Sequence, residues 1–211
     1  MKKIITIDGP AGSGKGRIAK YISKKFKLYH LDSGLIYRRV ALELQNNNIE
    51  ISNQKEIFNF LKKNKKIYIR NHNILRSEKI SKITSKIAVF KVVRDFVNEY
   101  QRKIVKEKIN KKGFVIDGRD IGSVVFKNAH IKLYIDVNIK IRAERRYKQL
   151  IDIGEKSIYP KILKDIKLRD KKDKSRKNSP LVVPKGAYII NNSGSFKSLI
   201  KQVNEIIGKI N

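Results

Sequence analysis

The chain has 211 residues, 40% of them hydrophobic, so it can bury the core of one domain of ordinary size. It has no cysteine, which excludes disulfides and thiolate metal sites and fits a reducing compartment, and its three histidines lack metal-ligand spacing. The formal net charge of +31 could mark a polyanion partner. However, the positive residues are dispersed and no nucleic-acid recognition motif accompanies them, so we favour compositional bias and expect no specific nucleic-acid partner.

The first apolar run, Ile4–Ile7, is too short for a signal peptide or a membrane span. We therefore expect a soluble, cytoplasmic protein with no membrane partner. Beyond it, short apolar runs alternate with longer amphipathic stretches, which predicts a parallel α/β sheet. The predicted strands are Lys3–Asp8, Tyr29–Leu31, Phe114–Asp117, Lys132–Val137 and Ala187–Asn191. The predicted helices are Lys15–Phe26, Leu35–Gln45, Lys55–Lys63, Ser81–Asn110 (with a break near Phe90), Ile139–Ile151, Tyr159–Asp173 and Phe196–Lys209.

Two segments depart from this alternation. Lys66–Arg70 and Ile74–Arg76 flank three polar residues and are predicted to form a small hairpin. The segment Lys164–Pro184 is dense in charge and poor in apolar residues. It is either a solvated helix end or a mobile lid over a phosphate site, since lids come from poorly packed segments.

The strongest motif, G-P-A-G-S-G-K-G, follows the first strand and opens a helix, as a phosphate-binding loop requires. Its glycines allow backbone N–H groups to surround phosphates, and Lys15 would reach the β- and γ-phosphates. Gly16 and Arg17 stand where a hydroxyl would contact Mg²⁺, so that contact must come through water or another residue. The residues predicted to bind ATP are Gly9, Pro10, Ala11, Gly12, Ser13, Gly14, Lys15, Gly16 and Arg17.

Two further strands end in polar residues. Asp117 ends an apolar strand and is predicted to hold Mg²⁺ through water, while Arg119 offers a planar fork for a phosphate. A turn with a structural ion pair is the alternative. Ser33 follows the strand at Tyr29, where it could cap the next helix, and Arg38 lies in that helix's first turns.

Six blocks of the sequence occur in a distinctive order and spacing. They are Ile7–Lys15, Leu31–Gly34 with Tyr37-Arg38, Ile116–Phe126, Arg142–Arg146, Arg169–Arg176 and Pro180-Leu181. In this order and spacing the chain resembles the bacterial cytidylate (CMP) kinases over nearly its whole length. The Asp-Gly-Arg-Asp-x-Gly-x-Val-Val-Phe block is the most specific feature of this resemblance. The Lys-Gly-Arg loop ending and a shortened β segment before Leu75-Arg76-Ser77-Glu78 depart from the family's pattern.

The resemblance implies a P-loop NTPase three-layer α/β sandwich with a five-stranded parallel sheet, forming a single nucleoside monophosphate kinase domain over 1–211. Within it we expect a core at 1–63, 111–155 and 181–211. A shortened monophosphate-binding insert would span about 64–110, and a lid about 156–180.

The resemblance also implies roles by position. Ser85, Arg94 and Asp120 would read cytosine, and a carboxylate such as Asp120 can accept a hydrogen bond from the exocyclic amine. Arg38, Arg119 and Arg176 would clamp the acceptor phosphate. The remaining acceptor-site residues would be Ser33 and, near the ribose, Arg169 and Asp173, and the catalytic set would be Lys15, Arg119, Arg169 and Arg176.

The expected activity is transfer of a phosphoryl group from ATP, with Mg²⁺, to CMP and dCMP by a monomer. Two alternatives stay open at this point. One is another P-loop kinase that uses UMP, AMP or a non-nucleotide acceptor. The other is a basic nucleic-acid-binding module whose loop has degenerated.

Overall fold

The computed structural model of the chain describes residues 2–64, 67, 72–152, 154 and 156–208. The fold divides into two compact units, one formed by residues 1–30 and 111–211 and the other by residues 31–110. We call them the phosphate-loop unit and the helical unit. The helical unit begins before the insert predicted from residue 64, and the division into core, insert and lid stays a prediction.

A five-stranded sheet in the order β2-β3-β1-β4-β5 forms the framework of the phosphate-loop unit. The first strand pairs in parallel with β3 and β4, and β4 pairs in parallel with β5. The predicted α/β class is therefore confirmed, and every predicted strand is present with shifts of one residue or less at its ends. The strands are β1 (Lys3–Asp8), β2 (Tyr29–Asp32), β3 (Gly113–Asp117), β4 (Ile131–Asp136) and β5 (Tyr188–Asn191).

Helices follow the strands as predicted, and the long predicted helix is interrupted at residues 88–90. In the described part of the chain they are α1 (Lys15–Lys25), α2 (Ser33–Asn46), α3 (Gln54–Lys63), α4 (His72–Leu75), α5 (Glu78–Ile87), α6 (Lys91–Glu107), α7 (Ile139–Asp152), α8 (Tyr159–Ser175) and α9 (Phe196–Gly208).

Apolar periodicity explains how these helices pack. On α1, Ile18 and Ile22 lie one turn apart and are fully buried against the sheet. The C-terminal helix α9 buries Leu199 and Val203 in the same cluster, whereas α7 packs against α8 through a separate small cluster. In the helical unit, α2 packs against α4, α5 and α6, and α3 packs against α6.

Two local expectations were wrong or fall outside the description, and one feature was not anticipated. Ile74 and Leu75 belong to the short helix α4 rather than a strand, so the hairpin is not formed; most of its other half, Lys66–Arg70, lies outside the described residues. The side chain that caps α2 is Asp32, which accepts a hydrogen bond from Leu35 N at 3.2 Å, and not Ser33. A single π-helical turn at Ile121–Val125 was not anticipated.

Candidate active site

The phosphate loop connects the end of β1 to the start of α1 at the carboxyl ends of the strands. Gly14 adopts φ 84° immediately before the helix, and a Cβ there would lie 2.5 Å from Asn192 Nδ2. At Gly9 a Cβ would lie 2.6 Å from the Ile135 carbonyl oxygen. Both positions therefore require glycine, because a side chain would collide with neighbours at a backbone conformation that it rarely adopts.

Lys15, the first residue of α1, is buried and turns back over the loop. Its ammonium donates hydrogen bonds to the Pro10 carbonyl oxygen at 2.7 Å and to Ser13 Oγ at 3.2 Å. Burial lowers the pKa of Lys15 well below its usual range, the Arg119 guanidinium adds to this shift, and Asp117 opposes it. A bound polyphosphate would oppose this lowering of the pKa, because an anion beside the ammonium stabilises its charged form.

Two polar side chains brace the loop, and neither was predicted to belong to the site. Asn192, which follows β5, donates from Nδ2 to the Ser13 carbonyl oxygen at 2.8 Å. Arg142 of α7 donates to the Ala11 carbonyl oxygen at 3.1 Å and pairs with Asp170 of α8 at 2.6 Å. Arg142 belongs to a block that carries the family resemblance, but nothing in the sequence linked it to the loop.

Asp117 ends β3 beside the helix that follows the loop. A Cβ on Gly16 would lie 3.9 Å from Asp117 Oδ2, while Oδ1 is 2.7 Å from His30 Nε2. One carboxylate beside a phosphate loop fits Mg²⁺, which is commonly held by one or two carboxylates together with substrate phosphates and water. No group of three or more His, Cys, Asp or Glu side chains that could hold a metal occurs among the described residues. Asp117, as one carboxylate beside the loop, is the residue there that fits a metal also bound by a nucleotide's phosphates.

The segment after β3 brings four predicted site residues together. Arg119 Nε lies 3.1 Å from Asp173 Oδ2, and Arg176 contacts both Asp173 at 3.5 Å and Asp120 at 3.8 Å. Burial acts to raise the pKa of Asp173, but the guanidinium groups of Arg119, Arg169 and Arg176 outweigh it and lower that pKa. The result is a cluster of arginines at the carboxyl end of the sheet, suited to phosphate groups.

The helical unit carries the other predicted acceptor residues. Arg38 Nη1 donates to the Leu75 carbonyl oxygen at 2.8 Å and to Ser81 Oγ at 2.6 Å, and Ser33 is buried at the start of the same helix. These contacts connect α2 to the ends of α4 and α5. One nitrogen of the Arg38 guanidinium is thus held by a backbone carbonyl and a side-chain hydroxyl of the same unit.

Arg94 and Ser85 lie on α6 and α5. Arg94 is 2% exposed, donates to the Ala88 carbonyl oxygen at 3.0 Å, and lies 5.6 Å from the centre of the Tyr37 ring. Ser85 is partly buried. A guanidinium held by a carbonyl and an aromatic ring in this way has a fixed orientation.

Arg17 does not point along the phosphate loop. Its guanidinium lies 3.6 Å from the centre of the Phe196 ring at the start of α9. Burial lowers the pKa of Arg145, and the charge of Arg17 contributes to that shift. Arg17, one of the two positions at the end of the loop that lack a hydroxyl, therefore places a cation at the surface beside α9.

The sheet order, the glycine-rich loop and the buried lysine together define the class of P-loop phosphotransferases. Among solved structures, the fold resembles TT1252 from Thermus thermophilus with a TM-score of 0.53 at 14% identity, over 100% of this chain and 98% of that one. At this identity the likeness concerns the fold alone.

Similarity in sequence to known proteins identifies the particular family. The family model for cytidylate kinase matches residues 5–211, and the chain belongs to this family. A cytidylate kinase from Fusobacterium nucleatum is 41% identical over 84% of this chain and 84% of its own length. The cytidylate kinase of Rickettsia felis is 40% identical over 98% of this chain and 90% of its own length. Among the residues that the structure describes, no helix is long and apolar enough to cross a membrane.

Proposed function

We propose that this chain transfers the γ-phosphoryl group of ATP to CMP and dCMP. The observation that supports this most is the buried Lys15, held in a glycine loop between β1 and α1, with the cluster of Arg119, Asp173 and Arg176 in the same unit. Membership of the cytidylate kinase family makes cytidine monophosphates the acceptors to test first.

The chemistry needs no general base, because the acceptor phosphate oxygen is already anionic at neutral pH. The chain's contribution is positioning and charge stabilisation. Loop N–H groups and Lys15 bind the donor phosphates, and Arg38, Arg119 and Arg176 bind the acceptor phosphate. Arg169 and Asp173 approach the ribose.

Mg²⁺, when bound, neutralises charge on the donor phosphates. Asp117 is the residue that would hold it, through water, and His30 holds the opposite carboxylate oxygen. Gly16 supplies no hydroxyl there, so the carboxylate, the nucleotide's phosphates and water would have to hold the metal.

The base is read by Asp120, Arg94 and Ser85 in this proposal. A carboxylate accepts from the exocyclic amine of cytosine, and guanidinium and hydroxyl donors serve the ring acceptors. Uracil presents a carbonyl where cytosine has the amine, which would leave Asp120 facing another acceptor. The cytoplasmic location, the monomeric state, the closing of a lid at 156–180 and the lack of a nucleic-acid partner stay predictions.

The direct test is ADP release from MgATP by the purified protein, with CMP, dCMP, UMP and AMP offered separately at matched concentrations. We expect CMP and dCMP to be used well above UMP and AMP. Asp120→Asn should narrow the difference between CMP and UMP, because an amide can donate to the uracil carbonyl. An equal rate with AMP, or no turnover with any of the four by folded protein, would refute the proposal.

A further inference from the structure

Asp8 is a buried carboxylate for which the proposed mechanism has no use. It is the last residue of β1, directly before the phosphate loop, and is 0% exposed. Its two oxygens accept hydrogen bonds from two successive backbone amides, Ile121 N at 2.8 Å and Gly122 N at 2.7 Å. A carboxylate with both oxygens bound to neighbouring amides holds that backbone in one position.

Those two amides begin the π-helical turn Ile121–Val125. Such a turn leaves its first N–H groups without partners of its own, as helix starts do, and Asp8 supplies the acceptors from a separate strand. The turn closes through hydrogen bonds from Val124 N to Asp120 O at 2.9 Å and from Phe126 N to Ile121 O at 2.7 Å.

Close packing also holds the turn against β1. A Cβ on Gly122 would lie 2.7 Å from Thr6 Oγ1 and 3.2 Å from both Asp8 Oδ2 and Pro184 Cγ. The turn therefore lies directly against β1, with no room for a side chain between them.

The residues immediately before this turn are Arg119 and Asp120. Their partners are Asp173 and Arg176 of the cluster described above. Any movement of the turn away from β1 would carry both residues away from the phosphate loop. Phosphoryl transfer is sensitive to such displacements, since a shift of about 1 Å can cost on the order of 10²-fold in rate.

We propose that Asp8 is a positioning residue that fixes the Arg119-Asp120 segment relative to the phosphate loop. This inference rests on the proposed function for its effect on CMP, although the bond pattern itself does not. Asp8 touches neither substrate in this proposal and acts through the backbone of the turn.

The charges around Asp8 agree with this role. Burial raises its pKa to about 6, the two backbone hydrogen bonds lower it, and Asp120 raises it while Lys15 lowers it. Above about pH 6 the ionised form therefore predominates, and it can accept both bonds.

The test compares Asp8→Asn with Asp136→Asn, which changes an exposed aspartate at the end of the neighbouring strand β4. Asparagine has one acceptor oxygen, and its NH₂ group would face an N–H donor. In calorimetry, we expect the affinity of Asp8→Asn for CMP to be about 10-fold or more weaker than that of the wild type. Its affinity for ATP should change less than about three-fold. Asp136→Asn should leave both within about two-fold.

Hydrogen exchange of the Ile121 and Gly122 amides gives a readout that needs no turnover. It should accelerate at least about 10-fold in Asp8→Asn and not in Asp136→Asn. Gly122→Ala, whose added Cβ would push the turn off β1, should reproduce the loss of CMP affinity, and the double variant should be no worse than the poorer single one.

Unchanged CMP affinity in folded Asp8→Asn, or an equal loss for CMP and ATP, would overturn the inference. If Asp8→Asn does not fold, Gly122→Ala decides between the same outcomes. If the wild type phosphorylates none of the nucleotides, the proposed function fails, while the exchange measurement still decides whether Asp8 holds the turn.

Discussion

In the phosphate-loop unit, the predicted site residues of the loop lie at the carboxyl end of β1, and distant side chains donate hydrogen bonds to their backbone carbonyls, as Asn192 does to Ser13 and Arg142 to Ala11. In the helical unit they project from helices, and Arg38 and Arg94 are oriented mainly by carbonyls at nearby helix ends. The first arrangement suits fixed charge stabilisation, and the second suits recognition of an acceptor. Substitutions in the two units should therefore affect different kinetic constants.

The largest effect should come from Lys15→Met. It removes the buried ammonium that we propose binds the donor phosphates, and we expect kcat to fall on the order of 10³-fold. ADP release measures this, with Lys20→Met, an exposed position on the same helix, as the control. A fall of less than ten-fold would mean that Lys15 is not part of the phosphate site.

Asp8 makes the stability of the phosphate-loop unit depend on pH. Its pKa is raised from 3.8 to about 6, so the folded chain binds the proton more tightly than the unfolded chain. Stability from this group is present at low pH and is lost as pH rises through about 6, by about 3 kcal/mol. The free energy of unfolding of the wild type minus that of Asp8→Asn should fall by this amount from pH 3.5 to 6.5. A constant difference would contradict the raised pKa.

Arg38→Met tests the helical unit. It should raise KM for CMP about 30-fold, the roughly 2 kcal/mol typical of a hydrogen bond to a charged group, with KM for ATP unchanged. Arg39→Met is the matched control, because the neighbouring guanidinium pairs with Glu43 instead. If KM for ATP rises equally, the division of roles between the units is wrong.

Gln101 of α6 tests the stability of the helical unit rather than its role in binding. It is 0% exposed, and among the described residues neither of its side-chain polar atoms has a hydrogen-bond partner. Gln101→Met removes a buried, unmatched amide at similar volume and should raise the free energy of unfolding by about 1 kcal/mol in urea denaturation. A loss of stability would show that the amide has a partner after all.

The smallest effect should follow Gly16→Ser. A Cβ there has ordinary contact distance to Asp117 Oδ2, so the side chain fits and adds a hydroxyl beside the expected metal position. We expect the Mg²⁺ concentration for half-maximal activity to fall several-fold, with Gly16→Ala as the control that lacks the hydroxyl. Equal behaviour of the two variants would show that a hydroxyl at this position is not what limits metal use.

The sequence by itself determined the strands, most helices, the phosphate loop and Lys15. Periodicity and glycine spacing are local properties, and they specify local structure. The hairpin failed because the residues around Ile74 form a helical turn packed on α2, a tertiary preference that a short apolar run does not reveal.

Only the tertiary structure decided which side chains brace the site. Asn192 lies 179 residues from Ser13, Arg142 lies 131 residues from Ala11, and Asp8 lies 113 residues from Ile121. These pairs meet because the sheet order places β3 and β4 on either side of β1, with β5 beyond β4. Strand order follows from how the whole core packs, and no local pattern along the chain encodes it.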